Sequence, residues 1–362
     1  MKNLRFISLH FRWAVVVLAV IFILTGCDIP KTEELTQIKT LTLMTWNVHN
    51  LFDGKDDGYE YAEFQQSSGW SIEKYMGRVN TISAAIKTLE TQPDIIVLQE
   101  VENLQILEDL SYVFPMTYLW SHFANNPESA IGLGILSRFP LLDAKAHSIF
   151  INDDSTPRPV LEARVQTDAD DIIIFACHWK SKIGGDDATE RTRKASARVI
   201  LRRVREIWEY EPDTGIIIAG DLNLSHDDFF RRGSNLICAL LPDDSLSASL
   251  AGTEQNDFIV ISGNKPPMPE HFSQENIVFF SPWMNELKNG SYFYRNNWET
   301  IDHFLVSGQF FINSGWEYER VIVIAHEPFA DVDGRPIPYN VRTGYGLSDH
   351  LPLVLTLKSA SN

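Results

Sequence analysis

Cysteine is scarce in this chain of 362 residues: Cys27, Cys177 and Cys238 are all it has. Two internal thiols are expected as buried side chains, and an exported location would permit them to pair. Repeats and low-complexity blocks are absent, and no strong linker follows Thr40. That leaves room for one large domain or two ordinary ones. An uninterrupted apolar run, Trp13 to Leu24, has only 12 residues, too short for a comfortable membrane span. Basic residues are outnumbered, with 31 Lys and Arg against 48 Asp and Glu, for a net charge of −17. A surface this acidic disfavours tight, indiscriminate binding to DNA or anionic lipid. It does not exclude a phosphodiesterase, because metal ions and a locally basic cleft can supply the attraction.

What is present begins with a leader. Lys2, Arg5 and Arg12 form a basic region ahead of the apolar run, which ends in Leu24-Thr25-Gly26-Cys27. Small residues before a cysteine resemble a bacterial lipobox, in which Cys27 is lipidated and becomes the mature N-terminus; the alternative is an uncleaved anchor helix. Either exports the domain and ties it to a membrane. The expected organisation is a lipoprotein signal peptide over 1–26, the lipidated cysteine and a tether over 27–40, and one domain over 41–362. Loss of 1–26 removes three basic and no acidic residues, moving the charge from −17 to −20. The expected location is the bacterial cell envelope, facing the periplasm or the outer surface, and the expected state is a monomer.

Apolar content of 44% is enough for a sizeable core. Alternation predicts strands over 41–46, 94–99, 117–122, 132–137, 144–149, 160–165, 172–178, 301–307 and 351–357. Helical spacing predicts helices over 72–90, 104–110 and 187–210. The last carries Arg191, Arg193, Lys194, Arg198, Arg202, Arg203 and Arg205 opposite its apolar face, which reads as a solvated surface. Residues 236–286 read as loop-rich. Many connections are too short for helical crossovers, so the class is α/β with mixed or antiparallel sheets covered by helices.

The run Ile216-Ile217-Ile218-Ala219-Gly220-Asp221-Leu222-Asn223 reads as a buried strand stopping at glycine and presenting Asp221 and Asn223 on one side. Alone it is also ordinary turn chemistry. Other polar residues end apolar strands: Asn47, Glu100, His178, Asp302, and Asp349 with His350. Together they contain the parts needed for metal-assisted phosphoester hydrolysis. Glu100 and Asp349 are hard oxygen ligands for Mg²⁺, with Mn²⁺ or Ca²⁺ as substitutes. Asp221 can orient or deprotonate water. Asn47 and Asn223 are amide donors for phosphate oxygens. His178 and His350 can donate to the phosphate or leaving group, with Asp302 fixing a tautomer.

These motifs resemble the endonuclease/exonuclease/phosphatase superfamily from about Leu41 to Leu357. Thr45-Trp46-Asn47-Val48 is similar to its opening motif, and Leu98-Gln99-Glu100-Val101 to its metal-binding glutamate motif. His178, Gly220 to Asn223, Ile301-Asp302-His303-Phe304 and Ser348 to His350 match its further signatures. The resemblance implies a four-layered α/β sandwich, with two mixed, mainly antiparallel sheets face to face and helices outside. It implies Asn47 at the phosphate and beside the metal, and an Asp302–His350 pair. Arg158, in Arg158-Pro159-Val160-Leu161-Glu162, resembles a phosphate-binding arginine, and Lys180 is a second basic candidate. His178-Trp179-Lys180-Ser181-Lys182 and the Tyr292 to Trp298 segment look like exported nuclease members. Trp179, Tyr292, Tyr294 and Trp298 stand between core packing and substrate stacking, and His49 and His303 read as structural. A nuclease is the leading expectation. The alternatives are a phosphatase or phospholipase C-type (sphingomyelinase-like) hydrolase and a catalytically dead binding protein. No exposed aromatic hairpin suited to bilayer insertion is evident.

Overall fold

The computed structural model describes residues 40–114, 117–152, 154–233, 237–243, 257–266 and 277–360. The leader, Cys27, the tether as far as 39 and the expected boundary at 26 lie outside the described residues, and Thr40 already belongs to the first strand. In chain order the strands are β1 (Thr40–Leu51), β2 (Ile95–Val101), β3 (Trp120–Ala124), β4 (Gly132–Ser137), β5 (Leu141–His147), β6 (Phe150–Ile151), β7 (Asp154–Ser155), β8 (Val160–Val165) and β9 (Ile172–His178). They continue as β10 (Gly215–Asp221), β11 (Leu240–Pro242), β12 (Ile259–Ser262), β13 (Val278–Phe280), β14 (Tyr292–Tyr294), β15 (Asn297–Glu299), β16 (Asp302–Val306), β17 (Trp316–Val323) and β18 (Leu353–Ser359). The helices are α1 (Ile72–Lys87), α2 (Leu104–Val113), α3 (Asp186–Tyr210) and the short α4 (Asp228–Arg231).

One mixed sheet runs β17-β18-β1-β2-β4-β3 and the other β11-β12-β13-β16-β10-β9-β8-β5. Alternation along the strands builds three apolar layers. Met44, Trp46 and Val48 of β1 face outward onto α1 and α2. Ile173, Phe175 and Cys177 of β9, with Ile216 and Ile218 of β10, face outward onto α3. The intervening residues, among them Leu43, Val97, Ile174, Ile217 and Phe304, are fully buried where the sheets face each other. This is the four-layered α/β sandwich that the family resemblance implied, and it agrees with the mixed sheets covered by helices read from the residues.

Helix starts follow local chemistry. Ser71 caps α1 by accepting from Lys74 N, and Asn103 caps α2 by accepting from Ile106 N at 3.2 Å. Asp186 and Asp187 sit in the first turn of α3, where the helix dipole favours negative charge. Helix α1 ends at Lys87 rather than at 90, because Thr88 Oγ1 turns back to Ala85 O at 2.7 Å. The strand expected over 144–149 lies at Leu141–His147, in register with β8. Cys177 and Cys238 are buried thiols, not joined in a disulfide.

The basic face of α3 is not uniformly solvated. Arg193 is fully buried. It donates to Glu190, to Thr189 Oγ1, and to the carbonyls of Asp186 and Lys180 at 3.0 and 2.9 Å. Sequence periodicity placed it with the solvated arginines because the chain segment that covers it comes from the end of β9. Arg203 makes a two-point contact with Glu162 at 2.8 and 2.9 Å, and His147 meets the same carboxylate at 2.7 Å. Helix α3 is thereby pinned to β8 and β5.

Burial alone would raise Glu162, but the bonds from Arg203 and His147 bring it down from the ordinary 4.5 to about 2. A depressed carboxylate stabilises the fold above its unfolded value and loses that contribution as pH falls toward the folded one. Glu162→Gln is expected to lower the unfolding free energy by about 3 kcal/mol at neutral pH. The difference from the parent should shrink between pH 4.5 and about 2. Urea midpoints measured at neutral pH and in that acid window check it.

Candidate active site

Strand direction brings the polar strand ends together. β1 and β2 are parallel, and so are β9 and β10, so Asn47, Glu100, His178 and Asp221 all lie at C-terminal strand ends. β16 runs antiparallel to β10, which sets its first residue, Asp302, directly opposite Asp221. β18 runs antiparallel to β1, so Ser348-Asp349-His350, just ahead of it, arrives at the same rim. Asn47, His178, Asp221 and Asp302 share the inward face, and all four are buried.

Gly220 is required at the end of β10. It has φ +136, and a Cβ there would lie 2.0 Å from Cys177 O. The chain then turns, with Asn223 at φ 51, and Asn223 N donates to Asp221 Oδ1 at 2.9 Å. This turn overrides the same-face expectation for Asp221 and Asn223. The Asn223 amide donates to Trp179 O at 3.1 Å instead of pointing into the centre. Arg158 donates to that same carbonyl.

Asp221 is the hub. Its Oδ2 accepts from Asn47 Nδ2 at 3.2 Å, with His178 Nε2 at 3.6 Å and His350 Nε2 at 4.0 Å. Asn47 Nδ2 also donates to Glu100 Oε1 at 3.2 Å, while Asn47 Oδ1 accepts from His49 N at 3.0 Å. Asn47 therefore presents its donor to the carboxylates, and its oxygen, which accepts this one bond, keeps a second lone pair. Glu100 lies in a bulge of β2 at φ 65, a costly conformation for a non-glycine residue. Its Oε2 accepts from Asn50 N at 2.9 Å, and its Oε1 lies 3.7 Å from His178 Nε2. His350 Nδ1 is bonded to Asp302 Oδ2 at 2.8 Å, and Ser291 Oγ donates to the same oxygen at 2.6 Å. Asp349 is half-buried, 3.8 Å from His49 Nδ1.

The electrostatics separate the two histidines. Burial, then the cations Arg158, His350 and Lys180, push His178 well below its usual range, leaving it neutral. Burial also opposes charge on His350, but Asp302, Asp349 and Asp221 overcome it and hold His350 well above its usual range. Burial and the neighbouring Asp302 raise Asp221 to about 7. Lys180 is lowered by burial and by Arg158 and Arg193, which places it on the Arg158 side of the centre.

A divalent cation fits these residues. Carboxylates from Glu100, Asp221, Asp302 and Asp349 crowd one rim, Asp302 Oδ1 is buried without a partner among the described residues, and burial together with Asp302 raises Asp221. Atoms of Asp221, Asp302 and His350 lie within 4.8 Å of one another. The His350–Asp302 bond commits those two groups to each other, however. Glu100 and Asp349 are the partly exposed carboxylates, and both act on the buried Arg78 guanidinium. They are hard oxygen donors of the kind that Mg²⁺ or Ca²⁺ prefers.

Several supporting residues carried little sequence signal. Ser348 Oγ donates to Asn47 O at 2.6 Å and accepts from His350 N at 3.0 Å, tying two strand ends together. Arg78, on α1, donates to Val48 O, His49 O and Asn50 O, each at 2.6 Å, beneath the left-handed turn at His49 and Asn50. One arginine in an amphipathic helix looks like any solvated cation until tertiary packing buries it. His303 is structural as expected, its Nε2 meeting Leu224 O at 2.8 Å. Trp179 is core, and Trp298 packs edge-on against Phe293. Tyr292 and Tyr294 form an aromatic hairpin, β14–β15, which the sequence did not reveal.

A two-sheet sandwich with carboxylates, amides and two histidines at one rim defines a class of phosphoester hydrolases. The profile of the Endonuclease/Exonuclease/phosphatase family matches residues 42–232, and the chain belongs to that family. It is thereby a hydrolase of phosphoester bonds, of a family whose chemistry depends on a divalent metal. No curated protein matches the chain. Among solved structures it resembles truncated Caenorhabditis elegans TDP2, with TM-score 0.51 and 14% identity over 88% of this chain and 98% of that one. D. rerio TDP2 complexed with single strand DNA product gives TM-score 0.51 and 14% identity over 88% and 99%. An endonuclease/exonuclease/phosphatase from Beutenbergia cavernae DSM 12333 gives 0.50 and 15% over 89% and 72%. At these identities the likeness is one of fold.

Burial brings Arg78 down to about 10, and its three carbonyl contacts need the guanidinium fork. Arg78→Lys should lower the unfolding free energy by about 2 kcal/mol. Urea unfolding with an unchanged m-value is the check.

Proposed function

We propose that this chain is a Mg²⁺-dependent phosphodiesterase that cleaves nucleic acid at the bacterial cell envelope, a monomer held to the membrane by lipid on Cys27. The observation that carries the reading is Asp221 buried between a neutral His178 and a charged His350. Environments that push neighbouring groups apart in pKa assign acid and base roles.

In this reading Asp221, raised to about 7, takes the proton of the attacking water. His350, oriented and charged by Asp302, donates to the phosphate and protonates the leaving oxygen. The Asn47 amide and Arg158 grip the phosphate, with Lys180 adding charge and His178 a further contact. Asn223 supports this indirectly, by holding the Trp179 carbonyl to which Arg158 is bound. Glu100 and Asp349 would hold the cation, which supplies neutralisation of charge developing on phosphate and leaving oxygen. The nucleic-acid assignment is supported by the DNA product bound to the D. rerio neighbour.

Purified residues 28–362 would be assayed with Mg²⁺ or EDTA on DNA, RNA, bis-p-nitrophenyl phosphate, sugar phosphates and sphingomyelin. Metal-dependent cleavage of nucleic acid is expected; activity on lipid or sugar phosphate alone overturns the substrate choice. Asp221→Ala and His350→Ala should each lower turnover by about a hundredfold to ten-thousandfold with folding intact. Unchanged turnover in both sinks the assignment. Cys27→Ser should move the protein from the membrane fraction to the soluble one.

A further inference from the structure

The hairpin β14–β15 stands beside His350 and is tied to the site at several points. Leu351 N donates to Ser291 O at 2.7 Å, and Tyr292 forms a bridge with His350. Ser291 Oγ holds Asp302. On the far strand, Lys182 Nζ reaches Glu299 Oε2 at 3.2 Å, bracing the hairpin against the segment that follows His178. Arg295 and Asn296 close the hairpin at φ 47 and 64, the geometry of a two-residue type I′ turn.

Alternation puts Phe293 on one face, against Trp298, and Tyr292 and Tyr294 on the other. The Tyr292 ring lies 4.6 Å from the His350 ring, and the Tyr294 ring lies 6.0 Å beyond it, only 17° from parallel. Aromatic planes therefore step outward from the reacting centre. Tyr292 is half-buried, whereas Tyr294 is 46% exposed. At the tip the Arg295 guanidinium lies over the Tyr294 ring, 5.0 Å from its centroid, so an incoming base would stack on it or displace it.

We propose that Tyr294, backed by Tyr292, is a stacking platform for a nucleobase attached to the scissile phosphate, with Arg295 facing a flanking phosphate. This rests on the phosphodiesterase reading of the centre and assigns the residues that would recognise the base of its nucleic-acid substrate. An exposed ring, rigidly backed and next in line from a catalytic histidine, offers a π-face to any base. A sugar ring or a choline cation can also lie against a tyrosine face, through C–H contacts or cation–π attraction, but neither covers it with a flat π-surface as a base does.

The full chain, solubilised in detergent with Mg²⁺, would be assayed on thymidine 5′-(p-nitrophenyl phosphate) and methyl p-nitrophenyl phosphate, which share a leaving group and differ in the nucleoside. The parent should favour the thymidine ester. Tyr294→Ala should reduce that preference about five- to hundredfold, through KM rather than kcat, and Tyr294→Phe should restore it. Turnover of neither ester defeats the phosphodiesterase reading itself. Turnover without preference, or a preference that survives Tyr294→Ala, defeats the stacking platform and leaves that reading standing.

Discussion

The bond between His350 Nδ1 and Asp302 Oδ2 joins the two sheets at the rim where the site lies. His350 leads into β18 of one sheet, and Asp302 opens β16 of the other. A second bond, Asn47 Nδ2 to Asp221 Oδ2, makes the same crossing. Below these bonds the layer between the sheets is apolar, and buried charge there is stable only when partnered. The polar groups accordingly collect at the one edge where both sheets can supply partners. Ser348, Ser291 and Arg78 then hold the strand ends in place.

The same burial that demands partners also sets the chemistry. Four carboxylates share one rim with one neutral and one charged histidine. Burial, with the charge of Asp302 beside it, outweighs the pull of His350 and Arg158 and raises Asp221 to about 7. A divalent cation completes that balance, and the partly exposed Glu100 and Asp349 are the groups left open to it. The hairpin at Tyr292 belongs to this design too, since its backbone is bonded to the segment that carries His350.

Much of the fold was legible because apolar alternation and helical spacing are local signals. β4, β8 and β9 have the limits read from the sequence. The site was legible in outline because strand ends on one rim converge, and Gly220, Asp221 and the Ser348 to His350 segment announce such ends. Arg193 and Arg78 were not legible as buried groups. Their environments come from segments distant in the chain, and a helical arginine carries no local mark of burial. Asn223 was misjudged in direction for a related reason: a residue in the left-handed conformation breaks the two-residue period.

By itself, the sequence determined most strands and helices and the polar strand ends, since side-chain type and periodicity are properties of the chain alone, while the layered fold and the class of chemistry came through the resemblance of its motifs. Only the tertiary structure decided which atoms meet. It turned the Asn47 donor toward the carboxylates, set Asp221 between a neutral and a charged histidine and lined two tyrosines up with His350. Those outcomes depend on how strands from two sheets register and on which groups lose water when the sheets close, and neither is encoded at any single position.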